Sequence, residues 1–206
     1  IATLSLFLAT AARAQDTAPS LRWCAYLTNG SVQKLASNPA ALEKTPQLLK
    51  SLNISKVYLE FFRQTSVSND DVKKVSGALT QQGFEIAGGI ATLPGENYGV
   101  REDAKLGWFN WQAQKTRDDV AKVMSTAAPL FSEIIVDDFF CTGDMSAESV
   151  AAKGELPWGD YRRALMVQAA QQSIIVPAKS ANPTVTLIMK FPQWYDRFHE
   201  FGYDVP

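Results

Sequence analysis

The sequence predicts an α/β fold of the (β/α)8 barrel type, truncated after about five βα units, and three observations predict it. Short β-rich apolar runs alternate with helix-like stretches throughout residues 22–206, and parallel strands need such crossovers between them. Segments leading from helix to strand are short, as at residues 53–55 and at Gly83, whereas those leaving the strands, 92–115 and 141–158, are long and rich in aromatics. A barrel of this type builds its site from the long strand-to-helix loops. No strand is followed by G-x-G-x-x-G or G-x-x-x-x-G-K-[ST], which removes the best signature of a nucleotide-binding open sheet.

The elements follow in order. Residues 1–8 are an apolar run and Ala12-Arg13-Ala14 an A-x-A site, so residues 1–14 read as part of a secretory signal and 15–21 as a polar leader. A secreted or periplasmic location is expected. Residues 22–27 (RWCAYL) form the first strand, closed by a turn at Asn29-Gly30. Asn38 before Pro39 is an N-cap with proline at the first helical position, starting a helix to about Leu52. Residues 56–62 (KVYLEFF) form the second strand. Ser68 and Asp71 make a capping box for a helix whose Val72, Val75 and Leu79 share one face, and Gly83 ends it. The third strand is 84–91 (FEIAGGIA). Thr116 with Asp119 repeats the capping box, with Val120, Val123 and Ala127 as the buried stripe. Residues 132–139 (SEIIVDDF) make the fourth strand. A helix over about 159–180 turns Leu165 and Ala169 inward and is bent or ended at Pro177. Residues 185–191 (VTLIMKF) are the fifth strand, and 22–206 reads as the N-terminal part of one domain.

Composition narrows the function. With 46% hydrophobic, 11% aromatic and 20% charged residues, the chain is neither disordered nor a disulfide-rich miniprotein. A net charge of -1 with no long charged run argues against a nucleic-acid partner. No interior stretch approaches about 20 apolar residues, so no membrane partner is expected. Cys24 and Cys141 permit one bridge at most, and with His199 as the single histidine they do not make a zinc site. No cofactor or metal is expected, although a carboxylate-only Mg²⁺ or Ca²⁺ site stays open.

The chemistry concentrates at strand ends. Ile134-Ile135-Val136 runs straight into Asp137 and Asp138, which alternation sends to opposite sides. A carboxylate inside an apolar mouth must be paired, hydrogen-bonded or shifted in pKa, the conditions under which acids catalyse. Glu60 stands at the equivalent end of the second strand. Two carboxylates facing one space are the minimum for glycoside hydrolysis; the other reading of Glu60 is an ion pair with Arg63 or Lys190. Lys190 reads as a charge partner for the acids in preference to a Schiff-base lysine. Aromatic residues crowd the same rim: Trp194 and Tyr195 with Lys190, Arg63 and Tyr26 are the candidate substrate contacts, while Trp108 and Trp158 read as loop packing and His199 as structural.

Val136-Asp137-Asp138-Phe139-Phe140 resembles the strand-end hydrophobic-Asp-Asp-aromatic-aromatic pattern of secreted bacterial glycoside-hydrolase-like TIM barrels. The strand–helix rhythm and Lys190-Phe191-Pro192-Gln193-Trp194-Tyr195 resemble the same family over most of residues 22–206. The resemblance implies a TIM barrel that hydrolyses carbohydrate with a strand-four acid in its active site. Two departures stand out. There is no D-x-x-D-x-D-x-E run, because Phe139 and Phe140 follow the acids, and no Asn-Glu pair ends the fourth strand. The expected function is a glycosidase-like hydrolase acting on a poly- or oligosaccharide with Asp137, Asp138 and Glu60 as catalytic residues. The alternative is a carbohydrate-binding barrel without turnover.

Overall fold

Parallel strands laid side by side in chain order form the centre of the molecule, a computed structural model that describes residues 22–137, 139–191 and 195–203. Strands β1 (Trp23–Leu27) and β2 (Ile54–Arg63) pair in parallel, and β3 (Thr65–Ser66) folds back antiparallel on the end of β2. Beyond β2 follow β4 (Glu85–Ala91), β5 (Glu133–Val136) and β6 (Thr186–Met189), each parallel to the last. The strand order β1-β2-β4-β5-β6 never reverses, so right-handed crossovers place all connecting helices on one face. Among the described residues β1 and β6 are the two edges of an open sheet. The parallel α/β expectation holds; a closed barrel is not what these strands form.

Helices α1 (Asn29–Ser37), α2 (Pro39–Ser51), α3 (Asn69–Gln81), α4 (Gln114–Ala127), α5 (Ala147–Lys153), α6 (Trp158–Ala169) and α7 (Val176–Ala181) fill the crossovers. Alternation along β2 drives the packing. Val57 and Leu59 join Ile90, Ile134 and Val136 in a buried layer with Val32, Val75, Leu79 and Met124 of the helices. The opposite face carries Lys56, Tyr58 and Glu60. There Lys56 Nζ lies 2.7 Å from Glu133 Oε1 and 2.9 Å from Glu85 Oε1, and the Tyr58 hydroxyl donates to Glu133 at 2.8 Å. One sheet face is thus dry and aliphatic, the other polar.

Local signals resolve in both directions. Asn38 caps α2 through Ala41 N–H at 3.1 Å, and Ser68 caps α3 through Asp71 N–H at 3.1 Å. Gly83 follows α3 at φ 88°, which a residue with a Cβ resists. Pro177 has no N–H to give, and the turn before it widens: Ala170–Ile175 is π-helical, with Val176 N–H reaching Gln171 O. The turn expected at Asn29-Gly30 is instead the start of α1, after an extended Thr28. The capping box expected at Thr116 and Asp119 is also corrected, because α4 starts earlier, at Gln114. Thr116 Oγ1 accepts Val100 N–H at 2.9 Å and Asp119 Oδ2 accepts Gly99 N–H at 2.7 Å, so both residues pin the long loop that follows β4.

That pin gives a pH test. Burial opposes the charge on Asp119, but hydrogen bonds from Lys115 and Gly99 outweigh it and hold the carboxyl below its usual range. A depressed carboxylate pKa adds stability above the unfolded value of about 3.9, lost as pH falls through the folded value. Protection of the Gly99 amide, measured by hydrogen exchange corrected for intrinsic rate, is therefore expected to be lower at about pH 2 than at about pH 5, and to fall ahead of the β2 amides. Equal protection at both pH values would refute the pin.

Cys24 is exposed, Cys141 is buried, and no bridge joins them. Among the described residues no helix is long and apolar enough to cross a membrane.

Candidate functional site

On a regular strand Glu60 and Arg63, three positions apart, point to opposite faces. The register of β2 against β4 shifts between Glu60 and Phe62. This bulge buries both Phe61 and Phe62 and brings Arg63 back to the face of Glu60. Glu60 is wholly buried, at 0% exposure. Its Oε1 accepts the Tyr26 hydroxyl at 2.9 Å, its Oε2 accepts Asn29 N–H at 2.7 Å, and Arg63 Nε lies 3.0 Å from both. The Arg63 Nη2 atom stands 2.9 Å from Glu60 Oε1 and 3.8 Å from Asp137 Oδ2. On the far side, Lys190 Nζ donates to Asp137 Oδ1 at 2.8 Å.

The row Tyr26–Glu60–Arg63–Asp137–Lys190 therefore crosses the sheet along the C-terminal ends of its strands, where sites of parallel α/β folds gather. β4 lies in the path but presents Gly89 opposite Glu60. A Cβ there would fall 2.6 Å from the Tyr26 hydroxyl oxygen, so the missing side chain is what lets tyrosine and glutamate meet. Gly89→Ala is expected to cost about 1–3 kcal/mol by overpacking, read by urea unfolding; an unchanged midpoint would show that Tyr26 can move aside freely.

Electrostatics follow from this packing. Burial first, then Glu60, pushes the Tyr26 hydroxyl above the ordinary tyrosine value, so it remains a donor to the carboxylate. Hydrogen bonding to Glu60 likewise raises Arg63. The Phe139 ring covers the guanidinium at 5.4 Å, and Trp108 packs edge-on against Phe139, also at 5.4 Å.

The structure thus unites Tyr26, Glu60, Arg63, Asp137 and Lys190. Asp138 and Trp194 lie outside the described residues, as does the side chain of Tyr195, which begins the 3₁₀ segment Tyr195–Phe201. Glu60, expected as a second acid, is buried with both of its oxygens accepting hydrogen bonds, and the ion pair with Arg63, its other reading, is formed. Lys190 pairs with Asp137 and not with Glu60. Trp158 packs against Tyr161 and under the Arg162 guanidinium, at 4.7 Å, as a loop anchor would.

Sequence reasoning passed over a buried polar network above the strand ends. Glu102 Oε2 accepts Gly143 N–H at 2.9 Å and its Oε1 accepts Trp108 N–H at 3.3 Å. Asp144 accepts Asp103 N–H at 2.7 Å and the hydroxyls of Ser146 and Ser149. Arg162 donates to the carbonyls of Gly143 at 2.9 Å and Asp144 at 3.2 Å. Burial raises the Glu102 carboxyl above its usual value and lowers Arg162. These groups tie loop 92–113 to loop 141–157 and hold Trp108 against Phe139. Their only mark in the sequence was acids inside long loops, which carries no periodicity.

Residues 10–206 match the family model described as "Probable glycosyl hydrolase, catalytic domain". An uncharacterized protein of Saccharolobus solfataricus is 26% identical over 199 residues, covering 86% of this chain and 33% of the relative. The chain therefore spans about a third of that relative's length. A hypothetical protein from Ruminiclostridium thermocellum superposes with a TM-score of 0.53 at 14% identity, over 80% of this chain and 95% of the other, a likeness of fold. A GH20 exo-β-N-acetylglucosaminidase from Vibrio harveyi matches with a TM-score of 0.48 at 12% identity, over 82% of this chain and 34% of the enzyme.

Proposed function

Because the chain belongs to the probable glycosyl hydrolase catalytic-domain family, we propose that it hydrolyses a poly- or oligosaccharide through carboxylate chemistry, with Asp137 as the group that meets the sugar. The observation that carries this reading is the placement of Asp137 at the end of β5. Its side chain is 14% exposed, held between Arg63 and Lys190. The Arg63 guanidinium links it to the buried Glu60, standing 2.9 Å from Glu60 Oε1 and 3.8 Å from Asp137 Oδ2. Held by two cations, Asp137 suits the nucleophile or base, and Asp138 beside it is the candidate proton donor. Lys190 and Arg63 offer donors to sugar hydroxyls, and Tyr26, Trp194 and Tyr195 offer flat apolar faces. Glu60 acts through Arg63 as a positioning residue. In this reading the sequential parallel strands are part of a (β/α)8 barrel, and residues 1–14 export the protein to the periplasm or beyond.

The test is a panel of aryl glycosides and polysaccharides assayed for released phenol or reducing ends, with wild-type protein and Asp137→Asn side by side. Hydrolysis by the wild type and its loss in the variant, with binding retained in calorimetry, is the expected result. The second reading, carbohydrate binding without turnover, is favoured by one observation: each oxygen of Asp137 already faces a cation. Calorimetric binding with no product from any substrate would establish it in place of the first.

A further inference from the structure

We infer that Gln64 is a positioning residue: its left-handed backbone makes the one-residue reversal that holds the Arg63 guanidinium toward Asp137. This rests on the reading that Arg63 and Asp137 belong to the working site. Arg63 of β2 pairs across the reversal with Thr65 of β3, which leaves Gln64 alone at the tip with φ 61°. Residues other than glycine seldom take this conformation, and those that do are enriched in Asn, Asp and His. Gln has no such excuse. A strained backbone of this kind persists only where its surroundings over-determine it.

The surroundings do so from both sides. Gln64 Nε2 donates to Pro94 O at 3.3 Å, and the loop after β4 presses so closely that a Cβ on Gly95 would fall 1.9 Å from the Gln64 carbonyl oxygen. Behind the reversal, Asn29 Nδ2 donates to Thr65 O at 2.9 Å, and Val67 N–H donates to Phe61 O at 2.8 Å. Asn29 also gives its backbone N–H to Glu60, so one residue anchors both the carboxylate and the turn behind it. The bulge at Phe61 and Phe62 sets the face of Arg63; the reversal at Gln64 fixes where along the strand it stops. A comparator exists at the other end of β2. Asn53, at φ 56°, takes the same conformation between α2 and β2, far from the row of charges.

The experiment compares Gln64→Gly with Asn53→Gly in the full chain, reading kcat, KM, melting temperature and the Arg63 Nε–H resonance. Glycine tolerates the left-handed conformation at both positions but opens other backbone states to it, and at position 64 it also removes the side-chain anchor on Pro94 O, without touching the guanidinium. For Gln64→Gly a loss of kcat of roughly tenfold or more is expected, because small displacements of a positioned group cost about that much. KM should stay within about twofold, and the Arg63 Nε–H signal should broaden. Asn53→Gly should leave kcat and the signal unchanged. Gly95→Ala, which drives a methyl group into the Gln64 carbonyl, should broaden the same signal from the opposite direction and serves if Gln64→Gly does not fold. Wild-type kcat with a sharp Arg63 signal in Gln64→Gly, or an equal effect from Asn53→Gly, would overturn the inference. A broadened signal in a protein whose wild type hydrolyses nothing upholds the positioning role and removes only the hydrolase reading.

Discussion

Changing Asp137 to Asn is expected to lower kcat roughly a thousandfold while leaving KM within a few-fold. The substitution is isosteric, so its effect is electrostatic. Lys190 Nζ, 2.8 Å from Oδ1, keeps an acceptor in the amide oxygen, whereas the amide nitrogen turns a donor toward Arg63, 3.8 Å from Oδ2. Arg63 retains Glu60 as its counter-charge, so the guanidinium is not stranded. Lys190 is half-exposed while Asp137 is 14% exposed, so water on the lysine side screens the pair and holds its contribution to about 1 kcal/mol. The melting temperature should therefore move little. This separation makes the result interpretable: a large fall in kcat with a small change in stability and binding isolates the missing negative charge. Steady-state rates, ligand titration and thermal unfolding of the same preparation measure all three. Wild-type kcat in the variant would move the chemistry away from β5.

How legible this site was depends on the kind of signal each residue leaves. Strand alternation exposes Val57 and Leu59 as one face and Glu60 as the other, and the short apolar run ending at Val136 announces Asp137 at a strand end. Cap signals at Asn38 and Ser68 are local chemistry and survive intact. What stayed hidden depends on partners distant in sequence. Arg63 reaches Glu60 only because of a bulge that no residue type demands. Asn29 looked like a turn because turn residues look alike; its amide is drawn to a glutamate 31 positions on. Thr116 and Asp119 had the spacing of a capping box, but the loop they face competes for the same oxygens. The Glu102–Asp144–Arg162 network is invisible for the same reason: its acids accept from loop backbone whose path only the fold sets.

Replacing Glu60 by methionine is expected to destabilise the protein by about 3 kcal/mol or more, the largest single loss predicted in this sheet. The carboxylate has no solvent exposure, and its removal strands three donors at once: the Tyr26 hydroxyl, Asn29 N–H and the Arg63 guanidinium. Asn29 is buried, so its N–H costs about 1–3 kcal/mol without a partner, whereas Tyr26 is 36% exposed and water offsets part of its share. Arg63 is about one-third exposed and keeps Asp137 nearby, so water offsets part of its share. The logic predicts non-additivity. In the double variant Glu60→Met, Arg63→Met the uncompensated cation is gone, and the loss should fall short of the summed single losses by about 1–3 kcal/mol. Urea unfolding of the four proteins closes the cycle. Additive losses would mean that Glu60 serves Tyr26 and Asn29 alone, and Arg63 would then have to be held in place by the reversal at Gln64 without help from the carboxylate behind it.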